Sequence, residues 1–175
     1  MTTQKLSNYS YGPACFQEMP EVLATYGFQS VVLIGGEKAL AAVENEILDV
    51  LQEAGISVTG SFVYGKAATM ANVEALAQLE EVQVADLIIG VGGGQALDTT
   101  KMVAKKLGKS LVTIPTICST CAAGTGLAVI YTEEHTFDFY EVTGPPIHTF
   151  INTRVIAEAP DQYFWAGIGD GISKG

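Results

Sequence analysis

The stretch "ADLIIGVGGGQALDTTK", residues 85–101, compresses an apolar run, three consecutive glycines and the start of a helical period into one short segment. Few folds accommodate that order. Leu87 to Val91 is apolar on both faces, which asks for a strand covered by layers on both sides. Helical spacing runs from about Gln95 to Leu107, and Gly108 closes it. Between strand and helix, Gly92, Gly93 and Gly94 lack Cβ atoms, so they permit positive φ and let a ligand approach the backbone. A helix that opens at such a corner presents unpaired amides and the positive end of its dipole, which together favour a diphosphate. In an open parallel sheet, ligands sit at that corner, outside the carboxyl ends of the strands.

The same alternation recurs along the chain. "SVVLIGG" (30–36) reads as a strand, followed by a helix with Leu40, Val43, Ile47, Leu51 and Ala54 at helical spacing and Gly55 at its end. A second strand around 57–65 leads to Thr69 as N-cap and a helix with Met70, Val73, Leu76 and Ala77 on one face. "SLVTIPT" (110–116) is another buried strand. The pattern predicts an α/β, doubly wound, mostly parallel sheet with helices on both faces, Rossmann-like in class. After Thr116, "LAVIYTEEHTFDFYEV" reads as a β-hairpin around "TEEHT", and "IHTFINT" as one more strand. The tail opens a helix at Pro160, with Tyr163, Gly167 and Asp170 on one face. Its end falls inside that helix, so the chain reads as the front part of something larger.

Charge narrows the partners. With nine basic residues against nineteen acidic ones, a net charge of -10 leaves no field that gathers nucleic acid or an anionic membrane. Phosphate recognition must therefore be local, through backbone amides. The start "MTTQKLSNYSYG" carries no apolar export segment, and no apolar run approaches the roughly 18 residues of a membrane span, so a soluble, cytoplasmic protein is expected. Cys15, Cys118 and Cys121 are not expected to build a disulfide framework. On local grounds alone, Asp98 is expected to complement the helix dipole, and Lys101 to sit in solvent as lysines on flanking helices do.

In order and spacing, "GGGQALDTTK", "IPTICSTCAAGTGLAVIY" and "AGIGD" resemble the iron-containing and glycerol-dehydrogenase-like polyol dehydrogenases, which share a superfamily with dehydroquinate synthase. The resemblance runs from about Ser30 to Gly175 and is most specific in the G-G-G-x-x-x-D-x-x-K and P-T-x-x-S-T blocks. It implies NAD or NADP as cofactor, a divalent metal (zinc or iron) in a cleft before a helical domain, and hydride exchange with a small alcohol or polyol. By position, Gly92, Gly93, Gly94 and Gln95 match the diphosphate loop, and Asp98 lies near the nicotinamide side. Thr116, Ser119, Thr125, Leu127 and Tyr131 match positions lining the rest of the dinucleotide. Hydroxyls there suit ribose and carboxamide, while Leu127 offers an apolar wall. Asp170 matches the first metal ligand.

Three departures shape what the resemblance implies. Cys121 stands where glycerol dehydrogenases place an aspartate against the polyol, so glycerol is not the expected substrate. Gly36 stands where many relatives hold the adenosine ribose with an aspartate, and Lys38 follows closely, so NADP is not expected to be rejected. The histidines that complete the metal site belong to the helical domain, whereas His135 and His148 fall in hairpin and strand. The implied organisation is a nucleotide-binding domain over 1–160 and, over 161–175, the start of a helix leading to a helical metal-binding domain that is absent. Such a chain is expected to be inactive alone. Its uncovered Tyr163, Phe164, Trp165 and Ile168 favour self-association into a homo-oligomer. A non-catalytic nucleotide-binding remnant and a dehydroquinate-synthase-like lyase fragment stay open as alternatives, although the lyase signature after the P-T block is missing.

Overall fold

A computed structural model describes residues 7–119 and 121–173. In two adjacent interior strands, β2 (Ser30–Gly35) and β4 (Leu87–Gly92), side chains alternate between two cores. Val31, Leu33, Leu87, Ile89 and Val91 enter one cluster, and Val32, Ile34 and Ile88 enter the other. That period of two, apolar on both sides, is what a sheet sandwiched between helices requires.

The remaining elements in chain order are β1 (Asn8–Tyr11), α1 (Met19–Tyr26), α2 (Glu37–Glu53), β3 (Ser57–Val63), α3 (Met70–Ala77) and α4 (Glu80–Val84). After β4 follow α5 (Gly94–Leu107), β5 (Ser110–Pro115), β6 (Leu127–Tyr131), β7 (Phe137–Val142), β8 (His148–Ile151), α6 (Thr153–Ala157) and α7 (Asp161–Ser173). Six strands form one sheet in the order β1-β8-β5-β4-β2-β3, parallel throughout, while β6 and β7 form a separate antiparallel hairpin. From β2 the chain steps outward to β3, then crosses back to β4 and continues the other way to β5. The direction of winding therefore reverses between β2 and β4, and that reversal opens a crevice at their carboxyl ends.

One face of the sheet is covered by α1 and α2 through Met19, Leu23, Leu40, Val43, Ile47 and Leu51. The other is covered by α3, α4 and α5 through Val73, Leu76, Val82, Met102 and Val103, joined by Ala128 and Ile130 of the hairpin. The expected caps are present. Thr69 Oγ1 accepts the Asn72 amide at 3.3 Å, and Gly108 takes φ 64° so that α5 can stop.

Three particulars differ from expectation. Val50, not Ala54, completes the buried stripe of α2, because Ala54 is already the C-cap and is exposed. β1, α1 and α4 were not anticipated; β1 is a four-residue edge strand held parallel to β8 from the far end of the chain. Tyr163 is half-buried, so the uncovered apolar surface of α7 consists of Phe164, Trp165, Ile168 and Ile172. Among the described residues, no helix is long and apolar enough to cross a membrane.

The sheet and α5 meet through Gly90. A Cβ there would press on the Thr100 hydroxyl and lie 3.1 Å from the Thr100 Cβ, and Thr100 is fully buried. Overpacking at such a point costs about 1–3 kcal/mol. Gly90→Ala is therefore expected to lower the urea midpoint with an unchanged slope, as equilibrium unfolding will read directly.

Candidate functional site

At the crevice, side chains are replaced by hydrogens. Gly92 has φ 141°, and a Cβ on it would lie 2.9 Å from the Ala96 Cβ and 3.6 Å from the Gly36 nitrogen. A Cβ on Gly93 would lie 2.6 Å from Ile117 Cδ1. The Gly36 amide donates to the Val91 carbonyl at 3.2 Å, and the Thr116 amide to the Gly92 carbonyl at 3.3 Å, which draws the exits of β2, β4 and β5 together. Gly93 is the N-cap of α5 in extended conformation, with no side-chain cap and no acidic residue in the first turn. The first-turn amides thus have neither an intrahelical acceptor nor a capping carboxylate.

A cleft of about 1620 Å³ opens over this corner. Gly36, Gly92, Gly93, Gly94, Gln95 and Asp98 form its floor. Thr116, Ser119, Cys121 and Thr125, which follow β5, line it together with Leu127 and Tyr131 of β6 and Asp170 of α7. Every position expected at the site from the sequence therefore lies on this one cleft. Thr116 is buried, whereas Cys121 and Leu127 are exposed into it. At the Gly36 end the wall also contains Lys38, Tyr64 and Lys66. Burial raises the Tyr64 phenol above its ordinary value. Lys66 was not anticipated, because its proximity to Gly36 depends on the pairing of β2 with β3.

Asp98 and Lys101 correct the local reading of the helix. Lys101 is not in solvent. Its side chain is fully buried, and Nζ donates to Asp98 Oδ1 at 3.0 Å, to the Leu127 carbonyl at 2.7 Å and to Thr125 Oγ1 at 3.4 Å. Asp98 Oδ2 in turn accepts the Val129 amide at 3.2 Å, so the carboxylate points to β6 rather than to the helix start. Burial pushes the Asp98 carboxyl up and the Lys101 ammonium down, and the ion pair opposes both shifts. One sequence signal was available: Ala96, Thr99, Thr100 and Ala104 make α5 small on several sides, and all positions from Ala96 to Ala104 are buried.

Neither histidine lines the cleft. His135 occupies the hairpin turn with φ 61°. His148 is buried in β8, its Nε2 3.0 Å from Ser10 Oγ; because that hydroxyl donates to Glu18, the imidazole is the donor to Ser10. Burial holds its pKa below the ordinary value. Among the described residues, no group of three or more His, Cys, Asp or Glu side chains converges as a metal site would need.

A parallel sheet with a glycine corner at its winding reversal and an uncapped helix facing a cleft places the chain among Rossmann-like α/β domains. Within that class it belongs to the iron-containing alcohol dehydrogenase family, whose family model matches residues 7–147. A glycolaldehyde reductase of Halobacterium salinarum is 33% identical over 145 residues, 82% of this chain and 40% of that protein. Hydroxycarboxylate dehydrogenase A of Escherichia coli is 31% identical over 169 residues, 96% of this chain and 46% of that protein. The crystal structure of glycerol dehydrogenase from Schizosaccharomyces pombe superposes with a TM-score of 0.85 at 28% identity, over 99% of this chain and 44% of that one. The chain spans less than half the length of these relatives.

The buried pair yields a stability test. Removing one partner leaves the other charged and desolvated, which costs about 3–5 kcal/mol. Lys101→Met is expected to destabilise the chain in that range, and adding Asp98→Leu to recover part of the loss. Urea denaturation of the two single variants and the double variant measures the coupling.

Proposed function

We propose that this chain is the nicotinamide-nucleotide-binding half of a metal-dependent alcohol or polyol dehydrogenase, with residues 1–160 as the nucleotide domain and 161–175 opening a helical metal-binding part. The observation that carries this reading is the glycine corner, where bare backbone and an uncapped helix start face a cleft of about 1620 Å³. In it, the amides after Gly93 would hold the diphosphate, the hydroxyls of Thr116, Ser119 and Thr125 would serve ribose and carboxamide, and Leu127 would offer an apolar wall to the nicotinamide. A nicotinamide held by these residues would supply hydride exchange with the substrate carbon.

The names of the relatives, a glycolaldehyde reductase, a hydroxycarboxylate dehydrogenase and a glycerol dehydrogenase, support a small hydroxylated substrate. With Cys121 in the cleft, glycerol itself is not the substrate we propose. The side chains described do not fit a complete metal site. A catalytic site of the zinc type takes three protein ligands and keeps one position open, and Asp170 supplies a single carboxylate. No step through a metal is therefore assigned to these residues, and the chain alone is expected to show no turnover.

At the adenosine end, Gly36 supplies no carboxylate against a 2′-phosphate, and Lys38 and Lys66 line the same wall. Discrimination between NADH and NADPH is accordingly weak or leans to NADPH. Fluorescence titration of both nucleotides tests the corner and the preference together. Gly93→Val is expected to weaken both by at least tenfold, about 1.4 kcal/mol, and equal affinity would remove the triple glycine from the site. Gly36→Asp is expected to shift preference to NADH by repelling the phosphate. A wild-type preference for NADH above about tenfold would overturn the assignment of Gly36.

A further inference from the structure

Of the described residues in α7, only Tyr163, Gly167 and Asp170 are half-buried; every other one is exposed. Their spacing puts them on one stripe of the helix, and Tyr163 and Asp170 line the cleft. Gly167, between them, is the point of closest approach. A Cβ built there would fall into the Cys118 carbonyl, lying 2.9 Å from its carbon and 3.5 Å from the Ser119 Cα. The obstacle is backbone, which cannot swing aside as a side chain would. Gly169 and Gly171, in the same helix, have nothing within 4 Å of a Cβ.

We propose that Gly167 is a positioning residue: its missing side chain seats α7 on the Cys118–Ser119 backbone and thereby sets how closely Tyr163 and Asp170 stand to the part of the cleft lined by Ser119 and Cys121. Any side chain at 167 levers the helix outward and carries Tyr163 and Asp170, about one turn to either side, away from that part. Alanine is the better helix former, so a loss at this position reports the contact and not helix propensity. Neither core cluster contains a residue of α7, so substitutions here leave the folding of the sheet intact. The bearing of this spacing on a cofactor rests on the nucleotide reading proposed above.

Gly167→Ala and Gly169→Ala in the full chain decide the matter through two readouts. The first is amide hydrogen exchange without nucleotide. Gly167→Ala should exchange at least tenfold faster in peptides covering 116–119 and in α7, with the central strands unchanged, whereas Gly169→Ala should match the wild type or exchange more slowly. The second uses Trp165, the sole tryptophan of the chain, as energy donor to bound NADH. Gly167→Ala should transfer less at saturation and bind NADH at least threefold more weakly, and Gly169→Ala should do neither. Wild-type exchange in Gly167→Ala, or equal effects of the two variants, would overturn the proposal. Failure of the wild type to bind NADH would instead sink the nucleotide reading, and the exchange readout would still decide the spacing.

Discussion

The Lys101 ammonium, enclosed within α5, donates to the Asp98 carboxylate, to a hydroxyl after β5 and to the carbonyl of Leu127, while the second carboxylate oxygen takes the amide of Val129. Through these bonds side chains of a helix hold part of one edge of β6, and the Tyr131 amide on the same edge donates to the Ala68 carbonyl. The other edge of β6 pairs with β7. The hairpin is outside the main sheet, so its placement depends on this buried pair and on the packing of Ala128 and Ile130. A lysine and an aspartate removed from water repay their desolvation only when nearly every donor and acceptor is used, and here they do so by fixing the strand that carries Leu127 and Tyr131.

The same arrangement leaves the helix start clear. An aspartate near the N-terminal turn of α5 would ordinarily complement the dipole, but this one is engaged by Lys101 and Val129. With no acidic residue in the first turn, the positive end of α5 remains available within a chain of net charge -10. Lys38 and Lys66 add positive charge farther along the cleft. Attraction for an anion is thus a local property, screened over about 8 Å at physiological salt, and is compatible with an acidic surface elsewhere.

What could be read from the sequence was short-range. The run from Leu87 to Val91 followed by Gly92, Gly93 and Gly94 specifies strand, turn and helix within one segment, and the cleft lies where an open parallel sheet requires it. The caps at Thr69 and Gly108 are equally local. Lys101 was misplaced because its surroundings come from residues 125–129, which no helical period on α5 reveals. β1 escaped notice for a related reason: "NYSY" carries no strong alternation, and only pairing with β8 makes it a strand. Lys66 joins the cleft through the register of β3 on β2. In each case the missing information was a contact between distant parts of the chain.

That distance has a kinetic side. Strands β2 to β5 are linked by short helical crossovers, α2 after β2, α3 and α4 after β3 and α5 after β4, so each can pair soon after it is made. β1 differs, because Asn8 faces His148 and Tyr11 faces Ile151. Among the described residues, the first strand must wait for the last strand of the sheet, and its pairing closes a loop that spans nearly all of them. Loop-closure entropy makes such a contact slow to form. On an emerging polypeptide, the segment with Tyr9 and Tyr11 therefore stays without its neighbour until the residues of β8 have left the ribosome.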